Sequence, residues 1–310
     1  MKELKILAVV ASLVLVTFYG IEPYAHHVMH PEGKPADFKF SDLKNVDTSL
    51  KGDVTAGKES FVNNCTACHS LTADGFDPMM SDADSAAAYG VTPPDLSLAG
   101  RIYEKNFLAN FIFDPVTATK VEHKYPANGS KVYPMPAYSW MGAQEIMNIV
   151  AYLESVSPKA IDEAGLASLA AKEERTLFDV SREQNAEVFK SACGRCHDMK
   201  YGGLSATTPK VTIQGYMGST PPDLSQYIIS RGSHYLDGFI NNPQEYLHGT
   251  GMPRVGLSEQ AQAEVIEYMT QVGDPKKTER EELGPKVLLY LLIFAILAYL
   301  WKRKIWSEVH

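Results

Sequence analysis

Cysteine is scarce in this sequence, with four among 310 residues. They stand as Cys65 and Cys68, then Cys193 and Cys196. Two pairs of equal internal spacing leave none over for a separate disulfide framework. Excess positive charge is also missing. The formal net charge is -8, which argues against nucleic acid as a partner, since phosphate binding needs the opposite sign. A basic protein partner is attracted instead. The acidity belongs to the middle of the chain, because Lys2 and Lys5 outweigh Glu3 at one end and Lys302, Arg303 and Lys304 outweigh Glu308 at the other. Charge is absent altogether from two stretches, Ile6–Ile21 and Val287–Trp301. With 45% hydrophobic and 21% charged residues the chain is not broadly disordered. Its length allows two small domains with real cores, plus anchors.

The two charge-free stretches read as membrane segments. The first follows a positive start and fits either a signal peptide or an anchor. The sequence Phe18-Tyr19-Gly20-Ile21-Glu22-Pro23 offers no small-x-small cleavage site, so an uncleaved anchor over 1–22 is the expectation. The second stretch, within 285–303, is flanked by Lys286 and by Trp301, Lys302 and Trp306, which can snorkel to the interfaces and extend an otherwise short span. Each anchor has its positive flank on the terminal side. The positive-inside rule then puts both termini in the cytoplasm and the residues between the anchors outside it, at a bacterial inner membrane.

Between the anchors the chain repeats itself. Cys65-Thr66-Ala67-Cys68-His69 recurs as Cys193-Gly194-Arg195-Cys196-His197, with Phe61 and Phe189 standing alike before each. Pro93-Pro94-Asp95-Leu96-Ser97 recurs at the same offset as Pro221-Pro222-Asp223-Leu224-Ser225. The spacing then contracts, so that Tyr133-Pro134-Met135-Pro136 corresponds to Gly251-Met252-Pro253. A longer loop in the first copy is where duplicated domains usually differ. The boundaries are set at 51–157 and 181–273. Each copy opens with a helix, starting near Asp53 or Thr55 in the first and at a capping box of Ser181 and Gln184 in the second. Each closes with another, marked by Ile146, Ile149, Val150 and Leu153, then by Val265, Ile266, Met269 and Val272. Ser258 is placed to cap the last of these. Phe61 with Tyr152, and Phe189 with Tyr268, are expected as core where the helices cross. Residues 158–180 read as a linker with a short exposed helix, and Gly273–Gly284 as a polar tether.

Cys-x-x-Cys-His is the attachment signature of c-type haem. Two thiols about a helical turn apart reach both vinyl groups of the porphyrin, and the adjacent histidine presents its ring to the iron. The expectation is two covalently bound haems, on Cys65, Cys68 and His69 and on Cys193, Cys196 and His197. Met135 and Met252 occupy matching places before the closing helices and are the candidates for the sixth ligand. Met141 and Met217 are competitors, and His123, His234 and His248 are the candidates for bis-histidine ligation. Pro94 and Pro222 are candidates to accept the ring N–H of the proximal histidine and so fix its tautomer, or are simply rigid turns. Arg101 and Arg231, which follow these strings, are candidates for pairing with haem propionates, or are solvated arginines.

On these motifs each half resembles a class I cytochrome c. The fold implied is mainly α, two tandem class I cytochrome c domains between an N-terminal and a C-terminal transmembrane helix. The Pro-Pro-Asp-Leu-Ser string with a nearby arginine, the C-terminal anchor with its basic tail, and the N-terminal run ending in Glu22-Pro23-Tyr24-Ala25-His26-His27 resemble the two-haem cytochrome c subunit of bacterial quinol–cytochrome c reductases. That resemblance implies cytochrome b and a Rieske iron–sulfur protein as partners. Electrons would pass from the Rieske protein to a soluble cytochrome c or a terminal oxidase, with no independent catalysis by this chain. A free-standing membrane-anchored di-haem carrier and a cytochrome c subunit of a haem–copper oxidase share the same haem chemistry. A di-haem peroxidase needs an openable iron site, which methionines in both halves disfavour.

Overall fold

Asp53 accepts a hydrogen bond from the Ala56 amide and starts the first opening helix, Val54–Asn64, the N-cap role that a short acceptor side chain performs best. Its partner is the first closing helix, Ala143–Val156, which buries Ile146, Ile149, Val150, Tyr152 and Leu153. Apolar residues three and four apart make that stripe. The two helices cross closely at Gly57, where an added Cβ would stand 1.9 Å from the Asn148 carbonyl oxygen. Phe61 and Tyr152 meet beside this crossing, 5.5 Å between ring centres. This computed structural model describes residues 2–29 and 36–309.

The second half repeats the arrangement. Its closing helix, Glu259–Gly273, is capped by Ser258, whose hydroxyl accepts from the Ala261 amide, and Phe189 packs on Tyr268 at 5.2 Å. The turn after each Cys-x-x-Cys-His is the same in both copies, with an isolated bridge Leu71–Phe76 matched by Met199–Leu204. Gly75 and Gly203 take the left-handed backbone (φ 82° and 75°) that this turn requires. Among the described residues the remaining order is helical, apart from one further bridge, Tyr103–Leu257.

Four features depart from the sequence expectation. The second opening helix runs Leu177–Ala192 and is capped by Thr176, whose hydroxyl accepts from the Asp179 amide and donates to its carboxylate at 2.6 Å. Ser181 and Gln184 therefore lie inside the helix, and Gln184 binds the backbone of Ile161 instead. Thr176 wins because the earlier start carries Val180 onto Leu166 and Ala170. Secondly, residues before 51 belong to the packed structure. Phe40 and Leu43 are buried with Phe107, and Asn110 accepts from the amides of Asn45 and Val46 at 3.0 and 3.3 Å. Thirdly, the helix expected in the linker, Glu163–Lys172, is not wholly exposed, since Leu166 and Ala170 bury against Val180. Finally, most of the supposed tether is helix, since Lys277–Val309 is continuous through Pro285.

That last helix and its N-terminal counterpart are the two apolar segments. The most apolar 18-residue windows within Leu4–Ala25 and Lys277–Ser307 have mean hydropathies of 2.2 and 2.1 and bury nothing in the molecule. Helical continuation beyond the charge-free runs makes both long enough to cross a bilayer, which takes about 20 residues. They fit membrane anchoring. The first includes a widened turn at Thr17–Ile21, beside the Thr17 hydroxyl, which donates to the Leu13 carbonyl at 2.8 Å.

The two halves are joined by backbone and by charge. Ser258 donates its amide to Ile102 at 2.8 Å, and Glu104 donates to Gly256 at 2.9 Å. The Arg101 guanidinium pairs with Glu264 at 2.7 Å, both side chains only 12% exposed. Arg254 of the second half grips Asp42 with both terminal nitrogens, at 3.1 and 2.8 Å.

Candidate haem site

Each Cys-x-x-Cys-His begins where an opening helix stops. Cys65 and Cys193 are the helix C-caps, and in each motif the second cysteine and the histidine fold back to the carbonyl of the first. This turn brings the pair of sulfurs and the imidazole to one side of the chain. The four cysteines are unlinked. Burial pushes the Cys65 and Cys193 thiols up to about 12 and raises Cys196 as well. Redox dithiols need the opposite shift. Among the described residues no three His, Cys, Asp or Glu side chains gather as a metal site.

The two imidazoles are held alike. His69 Nδ1 donates to the Pro94 carbonyl and His197 Nδ1 to the Pro222 carbonyl, both at 2.9 Å. A carbonyl can only accept, so the ring proton sits on Nδ1 and Nε2 keeps its lone pair for a metal. Burial holds both rings below the ordinary histidine value, outweighing the proline carbonyls, which act the other way. A neutral imidazole with a free Nε2 is the form that ligates iron.

One cavity takes in both motifs. Its walls include Cys65, Cys68, His69, Pro94 and Met135 from the first half and Cys193, Cys196, His197 and Met252 from the second. Met141 and Met217 reach it too, but the Met217 sulfur accepts the Tyr125 hydroxyl at 2.9 Å. His123, His234 and His248 are exposed and outside it. His123 contacts the Thr250 carbonyl at 3.1 Å. Pro222 stands outside the lining, though its carbonyl holds His197.

Neither arginine expected at the cavity is there. Arg101 is committed to Glu264, and Arg231 is an exposed residue lying over the Tyr235 ring. The helices that carry them turn the side chains outward or toward the other half. The arginines that do line the cavity are Arg195 and Arg254, each with a buried Nε that has no hydrogen-bond partner. Reading the motif as five positions with two free ones hid Arg195. The contrast with Ala67 in the first copy was the available signal.

The group that fits this cavity must form two thioethers, accept an imidazole at a metal, present a wide apolar face and carry negative charge. Haem c meets all four, and the fold and site define a protein that binds it covalently. The cytochrome c family model matches residues 54–157 and 183–273, and the cytochrome C1 family model matches 241–309. The chain belongs to the cytochrome c family.

The chain is also similar to the ammonia monooxygenase gamma subunit of Nitrosomonas europaea, 28% identical over 145 residues, covering 34% of this chain and 62% of that protein. It is 43% identical over 47 residues to cytochrome c1 of Allochromatium vinosum, covering 15% of this chain and 19% of the other. Cytochrome c of Theileria parva is 30% identical over 97 residues, covering 28% and 83%. The chain thus spans less than two thirds of the first two of these relatives. Among solved structures, a chain of a hyperthermophilic respiratory Complex III matches with a TM-score of 0.34 and 22% identity, covering 42% of this chain and 77% of that one.

Proposed function

We propose that this chain is the di-haem cytochrome c subunit of a bacterial quinol–cytochrome c reductase, anchored in the inner membrane by both ends. The observation that carries this reading is the cytochrome C1 match over 241–309. It runs unbroken from the Met252 loop through the closing helix into the terminal apolar helix, and so joins the haem-binding half to its anchor. The second half alone would serve a single-haem subunit. The first half adds a second set of the same groups around the same cavity.

Bound haem supplies one-electron chemistry at its iron. In each half the cysteine pair would hold the ring covalently, the histidine Nε2 would ligate the iron, and the proline carbonyl fixes the imidazole tautomer. Met135 and Met252 supply thioethers, which raise the reduction potential into the range suited to electron transfer. The chain takes electrons from a Rieske iron–sulfur protein held by cytochrome b and delivers them to a soluble cytochrome c or a terminal oxidase. It sets potential, distance and docking surface, and makes or breaks no substrate bond. Positive flanks on the terminal side of both anchors keep the termini cytoplasmic and the haem-binding region periplasmic.

Purification in mild detergent with mass spectrometry of the co-purifying subunits tests the assignment. A Rieske protein and a cytochrome b in stoichiometric amounts are expected. Recovery of the chain alone, or with haem–copper oxidase subunits, would remove the reductase reading and leave a membrane-anchored carrier.

A further inference from the structure

Arg195 has no ion-pair partner among the described residues, although its Nε is fully buried. It lines the shared cavity, whose described walls contain no aspartate or glutamate. Arg254, the other arginine there, is paired with Asp42, a carboxylate it shares with Lys120. Arg195 is thus the arginine of the cavity wall with no carboxylate partner among the described residues. That Nε is shut off from solvent and unsatisfied, which is unfavourable for a charged group unless an anion sits beside it. The negative charge must come from what the cavity holds.

Haem brings two carboxylates, and covalent attachment decides which haem can offer them to Arg195. The residue stands between Cys193 and Cys196, so it sits at the vinyl edge of the haem those cysteines hold. Propionates leave the porphyrin from the opposite edge. Its own haem therefore presents its carboxylates away from Arg195. The guanidinium instead lies within electrostatic reach of first-half groups, His69, Tyr103 and Tyr133. The first motif has Ala67 at the equivalent place and returns no such charge.

We propose that Arg195, a residue of the second haem motif, binds a propionate of the haem held by the first. The inference rests on the reading that both halves carry haem. It makes the two copies electrostatically unequal, with the second half tuning the first half's haem and no reciprocal device. A positive charge beside a haem carboxylate disfavours the oxidised iron and so raises that haem's potential.

The test is redox potentiometry on the full-length membrane protein, wild type against Arg195→Gln and Arg195→Lys. The two waves are assigned by Met135→His and Met252→His. Arg195→Gln is expected to lower the equilibrium constant for reducing the first-half haem about tenfold, which is about 59 mV for one electron. The second-half wave moves less, and Arg195→Lys restores most of the loss. A larger shift in the second wave, or none in either, overturns the proposal. Should Arg195→Gln fail to mature, resonance Raman of wild type and Arg195→Lys decides. The propionate bending band of the first-half haem must move between them, and an unmoved band overturns the assignment. The haem count of the wild-type chain separates this inference from its premise, since one haem per chain overturns the two-haem reading itself.

Discussion

At the scale of single residues, the proposed haem chemistry rests on the thiols, imidazoles and thioethers. Replacing both Cys65 and Cys68 by serine removes one covalent attachment site and leaves the other motif intact. Haem absorbance per chain should then fall by about half, with a matching loss of mass. The two methionines can be tested one at a time. Met135→His and Met252→His should each remove about half of the iron–sulfur charge-transfer absorption and lower one haem's potential, because imidazole replaces a thioether. Unchanged absorption in either variant would turn attention to Met141 in the first half, which reaches the same cavity.

At the scale of helices, each half depends on one crossing between its opening and closing helix, and the copies solve it differently. In the first, Gly57 lets the backbones touch at the Asn148 carbonyl. In the second, the corresponding residue is Asn185, which is buried and donates to Gln271 at 3.5 Å. Gly57→Ala forces the helices apart and should destabilise the protein by about 1–3 kcal/mol, read by thermal or denaturant unfolding. The apolar stripes and the caps at Asp53 and Ser258 were legible from residue spacing, because helix period and N-cap chemistry are local. The start at Thr176 was not. Thr176 with Asp179 and Ser181 with Gln184 both satisfy capping, and only the packing of Val180 on Leu166 and Ala170 selects the earlier start.

At the scale of the whole molecule, the halves act as one unit through charges that cross between them. Arg101→Leu leaves the Glu264 carboxylate mostly buried and unpaired, and should cost roughly 3–5 kcal/mol, whereas adding Glu264→Leu should recover most of it. A double-mutant unfolding cycle measures the difference. The Asp42–Arg254 contact adds a pH dependence. Burial pushes the Asp42 carboxyl up, but Arg254 and Lys120 outweigh it and the net pKa lies below the ordinary value. A depressed carboxylate stabilises the fold above its unfolded pKa, about 3.9, and loses that contribution as pH falls through the folded value. Proteolysis within residues 36–50 should therefore accelerate below about pH 4, and Asp42→Asn should show the faster cutting already at neutral pH.

The sequence by itself determined the covalent chemistry, the duplication and the two apolar ends. Each is written in contiguous residues, as five-residue motifs, recurring strings or charge-free runs, whose physics needs no distant partner. Where the arginines point was decided by tertiary structure alone. Arg101 and Arg231 follow the proline strings in sequence, yet the packing of the halves commits one to Glu264 and leaves the other over Tyr235. Arg195, hidden inside a motif, is brought to the wall of the cavity that both halves share. A guanidinium on a long flexible stem takes its partner from whatever charge the assembled fold places within reach, and sequence spacing carries no record of that distance.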